Sequence, residues 1–179
     1  MTDKKEKKRI AFWLLPTKAD HLRLTALIEQ FSTRFDTPLF APHVTLLVVP
    51  DKTISEPISH LEQSCRQTKP FTLELCAKPS WGPHYNQALT LSLKTSPELA
   101  RLISLLHPQQ HLPNNYTPHI SLIYGNLSKE SGRELIREID LACTSVCFDR
   151  CSAIQVGAKT CSDEDVRTWK VLATKFLSQ

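Results

Sequence analysis

Hydrophobic positions along the chain alternate between two periods, and each change of period marks a change of element. Ile10 to Leu15 is a short apolar run closed by Pro16 and reads as a strand. Leu24, Leu27, Ile28, Phe31 and Phe35 then fall at helical spacing, in a helix that Asp20 can cap. Pro38 and Pro42 break the chain before His43 to Val49, a β-branched run that predicts a strand buried on both faces. Ile54, Ile58, Leu61 and Cys65 return to helical spacing, with Thr53 or Ser55 as cap and Pro57 tolerated in the first turn.

The period then shortens to two. Phe71, Leu73, Leu75 and Ala77 alternate with Thr72, Glu74 and Cys76, and Leu89, Leu91 and Leu93 alternate with Thr90 and Ser92, which predicts two half-buried strands joined by a loop through Trp81 to Asn86. Ser96, Pro97 and Glu98 open a helix whose stripe is Leu99, Leu102, Ile103 and Leu106, and Pro108 stops it. His119 to Tyr124 is again strand-like, Ser128 to Ile139 is a helix weakened by Gly132, and Val146 to Phe148, Ala153 to Val156 and Trp169 to Ala173 are the last strands. This order predicts an α+β chain of two comparable halves with antiparallel strands.

Composition narrows the function classes. The chain has 179 residues, 41% hydrophobic and 22% charged, which fits one globular domain. No apolar run approaches the roughly 18 to 20 residues of a membrane span. The net charge of +4 suggests a nucleic-acid binder until it is apportioned. Lys4, Lys5, Lys7, Lys8 and Arg9, against Asp3 and Glu6, place most of it in residues 1–9, which read as a solvated, flexible basic leader to a single domain over 10–179. The remainder is almost neutral and offers no face for gripping a long phosphate backbone. The apolar stretch after the leader is too short for a signal peptide. A cytoplasmic protein is therefore expected, with its six cysteines as buried thiols.

The two halves share a local repeat. Phe40-Ala41-Pro42-His43-Val44-Thr45-Leu46 matches Tyr116-Thr117-Pro118-His119-Ile120-Ser121-Leu122 in chemical class everywhere except at Ala41 and Thr117. Each copy sets a histidine and a hydroxyl two apart on a strand, hence on one face. The proline in front keeps the histidine at the strand entrance. Two such units suit a cyclic phosphodiester: one imidazole takes a proton from water, the other protonates the departing ribose oxygen, and hydroxyls bind the non-bridging oxygens. The arrangement requires no metal and no cofactor.

These segments resemble the two-histidine phosphodiesterase superfamily, and within it the plant and yeast cyclic phosphodiesterase branch. Phe12-Trp13-Leu14-Leu15-Pro16, the two histidine motifs, Tyr124 and the closing Thr168-Trp169 stand in the same order at similar separations, over most of residues 10–175. The resemblance implies a bilobal fold with two antiparallel sheets facing a central cleft and helices outside. It implies hydrolysis of 2′,3′-cyclic nucleotides to 2′-monoesters and of ADP-ribose 1″,2″-cyclic phosphate, a tRNA-splicing product. By carry-over His43 and His119 are the acid/base pair, with His119 taken as base and His43 as acid although the pseudo-symmetry permits the reverse. Thr45 and Ser121 bind phosphate, and Trp13 and Tyr124 contact substrate. Tyr124 has the wrong parity for the catalytic face unless its strand bulges. No cysteine near the C-terminus is available to pair with Cys65, so the disulfide control of the plant branch is not expected.

Other signals are weaker. Pro108 separates His107 from His111 and breaks the helix that would align them on a metal. Cys143, Cys147 and Cys151 fit neither zinc nor iron-sulfur spacing. His84 and Tyr85 lie in a turn that could reach the cleft rim and stack on a base. The expected partner is a small nucleotide and the expected state a monomer without membrane contact. An RNA-end enzyme, forming or cleaving 2′,5′ or terminal linkages, and a nucleotide-binding module without turnover are the alternatives.

Overall fold

A computed structural model describes residues 8–53, 55–76, 78–107, 116–139, 141 and 143–178. Its elements in chain order are β1 (Arg9–Pro16), α1 (Lys18–Phe35), β2 (Val44–Pro50), α2 (Pro57–Arg66), β3 (Phe71–Glu74), β4 (Ser80–Trp81), a 3-10 turn (Tyr85–Gln87), β5 (Leu89–Ser92), α3 (Pro97–Leu106), β6 (His119–Ile123), α4 (Lys129–Glu138), β7 (Ser145–Val156), α5 (Asp163–Arg167) and β8 (Lys170–Phe176). The protein is α+β, and every strand pairing is antiparallel.

The hydrogen-bonded strand order is β3-β7-β1-β2-β6-β5-β4, and β8 also pairs with β7. Where the resemblance implies two sheets, the path is continuous: the half-sheets meet edge to edge between β2 and β6, at the pair Val44 and Ile120. These two residues hold the same place in the repeated motif, so the junction sits where a pseudo-two-fold relates the halves. The single long β7 replaces the two short strands expected over 146–156. Its outer edge pairs first with β3 at Ser145 to Phe148, then with β8 at Arg150 to Gln155.

Period-two alternation in β1 divides the interior. Ile10, Phe12 and Leu14 point to the helix side, where they join Leu24 and Ile28 of α1, Leu61 of α2 and the Leu99, Leu102, Ile103 and Leu106 stripe of α3 in the main core. Ala11 and Trp13 point the other way, into a smaller cluster with Ile154, Val156 and Trp169. Burying each large aliphatic or aromatic side chain of the main core stabilises by about 1.5–3 kcal/mol. The smaller cluster is the floor of a cleft.

Several helix ends depart from the sequence expectation. Thr17, not Asp20, is the N-cap of α1; Asp20 lies in the first turn, where its carboxylate accepts from Arg23 and from the Cys147 amide, fastening the helix to β7. Glu56 precedes Pro57 as the cap of α2, and Ile54 lies outside the described residues, as do Ala77, Pro108 and His111. Ser96 and Ser128 cap α3 and α4 through their hydroxyls. Arg9, counted with the leader in the sequence, is the first residue of β1 and pairs with Pro50 and Val156. Gly132 has a packing reason: a Cβ there would lie 2.1 Å from Cδ1 of Trp81. The glycine that weakens α4 in propensity is what lets the indole lie against it.

All six cysteines are free, but the burial expected of all six holds only for Cys65 and Cys151: Cys76 and Cys143 are half-buried, and Cys147 and Cys161 are exposed on the surface. Among the described residues no helix is long and apolar enough to cross a membrane, and no group of three or more His, Cys, Asp or Glu side chains forms a metal-ligand set.

Candidate active site

The two histidine motifs enter the sheet at equivalent points, and the same local device fixes each ring. His43 Nδ1 lies 2.7 Å from the carbonyl of Ala41, and His119 Nδ1 lies 3.1 Å from the carbonyl of Thr117. A carbonyl can only accept, so Nδ1 carries the proton in both rings and Nε2 is left as the reactive nitrogen. The proline between histidine and carbonyl has no N–H of its own and holds the extended turn that makes this contact.

Both motif strands then bulge at the same place. In β2, Trp13 opposes Thr45 while Phe12 opposes Leu47, so Leu46 is the extra residue. In β6, Thr90 opposes Ser121 while Leu89 opposes Ile123, so Leu122 is the extra residue. One inserted residue reverses parity downstream. It turns Val48 toward the cleft on one side and Tyr124 toward it on the other, and both line the cavity. The bulge required for Tyr124 is therefore present, and it has a counterpart in the first half.

The cleft encloses about 460 Å³, within the usual range for a small-molecule site. His43, His119, Thr45, Trp13 and Tyr124 all line it. Ser121 does not: it is buried, and its hydroxyl donates to the carbonyl of Asn86 at 2.9 Å. A hydroxyl has one proton to give, so Thr45 is the free donor of the pair as the protein stands.

Aromatic rings pack His43 in place. Trp13 stacks on it at 3.7 Å between centroids and 14° between planes, and Trp169 meets both rings edge-on, 5.0 Å from Trp13 and 6.1 Å from His43. Phe40 stacks on Tyr124 at 4.2 Å. Burial pushes the His43 titration down from 6.5 to about 4; the Ala41 carbonyl opposes this and the second histidine, His119, adds to it. The displacement corresponds to about 3 kcal/mol against the charged ring. That exceeds the roughly 0.5–2 kcal/mol by which the Trp13 face could favour an imidazolium. His43 is thus neutral at neutral pH. Burial also raises the Tyr124 hydroxyl to about 12, partly offset by Ser121, so it remains a phenol.

The sequence pattern did not single out four contributors. Trp169 served only as a landmark, yet it lines the cleft with its indole nitrogen buried and unpaired among the described residues. Tyr116 donates its hydroxyl to the Thr45 carbonyl at 2.9 Å, supporting the strand that carries the hydroxyl donor. Phe40 and Tyr116 occupy the same place in the repeat, and that repeated aromatic was the available signal. Arg9 was hidden by the basic run before it. Tyr85 does not line the cleft; its hydroxyl donates to Asp163, and Asn86 and Gln87 line the rim instead.

The family model described as the 2'-5' RNA ligase superfamily matches residues 15–152, well over half of the chain. The chain belongs to this superfamily. It is 27% identical over 172 residues to the cyclic phosphodiesterase of Arabidopsis thaliana, covering 90% of this chain and 91% of that protein. E. coli LigT, solved with 3'-AMP, superposes with a TM-score of 0.55 at 15% identity, over 97% of this chain and all of LigT. TT0787 of Thermus thermophilus superposes with a TM-score of 0.58 at 12% identity, over 94% of this chain and 97% of that one. At those identities the likeness is one of fold. Superfamily membership and the cyclic phosphodiesterase relative make this protein an enzyme of the phosphoesterase type.

Proposed function

We propose that the protein hydrolyses 2′,3′-cyclic nucleotides, or a cyclic phosphate of similar build such as ADP-ribose 1″,2″-cyclic phosphate, to the phosphomonoester without a metal. The observation that carries this reading is the pair of Nε2 nitrogens, each prepared by the same Nδ1-to-carbonyl contact, on one cleft related by a pseudo-two-fold. A phosphodiester placed between them meets one nitrogen on the side of the attacking water and the other on the side of the leaving oxygen.

In this reading His119, the more exposed ring, takes a proton from water as its oxygen bonds to phosphorus. His43 gives a proton to the ribose 3′ oxygen as the P–O bond breaks, leaving the 2′-monoester. Thr45 donates to a non-bridging oxygen as charge develops there. His43 begins neutral, so its role as acid requires that the substrate supply the means of charging it. An anionic phosphodiester against Nε2 does so, since an opposite charge at such range moves a titration by about 1 to 3 pH units. Substrate binding and protonation of His43 are then one coupled event. Trp13, stacked on the ring, and Tyr124, packed between Phe40 and Trp169, fix the substrate's ribose and base.

Incubation of the purified protein with 2′,3′-cyclic AMP in EDTA, with products resolved by phosphorus NMR, tests the reading. Conversion to adenosine 2′-phosphate supports it. Turnover that disappears with EDTA refutes the metal-free reading; exclusive 3′-phosphate refutes the assigned leaving oxygen.

A further inference from the structure

The cleft does not end at the histidines. Its lining continues along β1 from Trp13 through Ala11 to Arg9; Val156, the last residue of β7, pairs with Arg9 and leads into Gly157 to Thr160, so that Lys159 also lines the cavity. On a strand, four residues from Trp13 to Arg9 cover about 13 Å, a span that one nucleoside with a phosphate on each side of its ribose fills once the arginine reaches back. The ground between is apolar, formed by Ala11, Val48 and Val156.

Charge sets this end apart. The described lining of the cleft contains two histidines, Arg9 and Lys159, and no aspartate or glutamate. Of the acidic residues that follow in sequence, none lines the cleft; Asp163 accepts from the Tyr85 hydroxyl, and Asp165 accepts from the amides of Cys161 and Ser162. Neither Arg9 nor Lys159 forms a salt bridge among the described residues. The amides of Ala158, Lys159 and Thr160 donate to no backbone carbonyl there. A near-neutral molecule thus presents a locally cationic pocket with spare donors, separated from the reacting end by apolar ground.

We infer that Arg9 and Lys159 form a second phosphate subsite, which selects cyclic nucleotides bearing a phosphoryl group on the 5′ oxygen. The inference rests on the proposed phosphodiesterase reading and names its substrate class. The base and ribose lie over Ala11, Val48 and Trp13, the cyclic phosphate sits at His43 and His119, and the 5′ phosphate meets the guanidinium and ammonium. That group can be a terminal monoester on a small nucleotide or the diester that precedes the last residue of an RNA.

The test compares kcat/KM for three substrates: adenosine 2′,3′-cyclic phosphate, the same compound phosphorylated on the 5′ oxygen, and the dinucleotide ApA ending in a 2′,3′-cyclic phosphate. One charge-assisted contact predicts about a tenfold preference for a 5′-phosphorylated form. The preference shrinks with salt, because Lys159 is exposed. In the double variant Arg9→Gln, Lys159→Gln the ratio falls to about one. Preference for the monoester alone places the source in small nucleotides, and an equal or greater preference for the dinucleotide places it in RNA ends. A wild-type ratio near one, or a ratio that survives the double substitution, overturns the subsite while leaving the phosphodiesterase reading standing. Calorimetric binding of adenosine 2′-phosphate against adenosine 2′,5′-bisphosphate gives the same comparison without turnover. A protein that fails to hydrolyse any cyclic ester therefore still decides the question.

Discussion

Replacing His43 by asparagine changes how stability depends on pH, and the size of the change follows from burial. In the unfolded chain the imidazole titrates near 6.5; in the folded protein burial holds it near 4. Between those values the unfolded state binds the extra proton, so stability falls as pH falls. From pH 7 to pH 4.5 the two titrations diverge enough to remove about 2 kcal/mol. The exposed carboxylates Glu62, Glu74 and Glu138, held low by their ion pairs, and His21, lowered by burial, are common to both proteins and cancel in the comparison. Urea unfolding at the two pH values therefore shows a loss in the wild type about 2 kcal/mol larger than in His43→Asn, whatever the variant's stability at pH 7. A difference under about 1 kcal/mol refutes the reasoning, since stacking on Trp13 then offsets the burial penalty.

Other consequences can be checked beside it. Binding of adenosine 2′-phosphate at pH 7 takes up part of a proton, seen as a buffer-dependent calorimetric enthalpy, and His43→Asn abolishes the uptake; no uptake in the wild type assigns His43 as the base. Thr45→Ala lowers kcat/KM about 10²-fold by removing a donor from the phosphate. Ser121→Ala lowers it only a few-fold and instead costs about 1 kcal/mol of stability through the Asn86 carbonyl; equal activity losses would show that Ser121 turns to the substrate. Gly132→Ala gains up to about 1 kcal/mol in helix propensity but drives a Cβ into Trp81, whose indole donates to the Leu127 carbonyl at 3.3 Å. The clash dominates, and thermal unfolding shows a net loss of about 1–2 kcal/mol.

The sequence was most legible where period and chemistry coincided. The helical stripes of α1 and α3 and the alternating leucines of β5 marked much of the main core, whereas β1 read as an unbroken apolar run whose two faces only the structure separates, and the repeated Pro-His-x-hydroxyl motif placed the two histidines on equivalent strands. The bulges were legible only through a conflict of parity at Tyr124; Val48 offered no such conflict, because an aliphatic residue suits either face. The length of β7 was obscured by Asp149 and Arg150, which break its apolar pattern yet are accommodated by their own ion pair and by Arg150 donating to the Pro16 carbonyl. The short β4 and the five-residue α5 carry too few residues for any period to show. Arg9 was misassigned because a charge run looks uniform in sequence, whereas β1 begins inside it. The commitment of the Ser121 hydroxyl to Asn86 depends on a contact thirty-five residues distant, which spacing cannot reveal.

Catalysis in this reading turns on His43 and His119 acting as one acid/base pair, and single-turnover hydrolysis of 2′,3′-cyclic AMP by folded His43→Asn, His119→Asn and the double variant measures this most directly. Each single substitution is expected to cost about 10²–10⁴ in rate, and the double little more than the worse single, because a pair that moves one proton in and one out fails when either member is missing. A single variant that keeps wild-type turnover with its fold intact, or two losses that simply multiply, would contradict it.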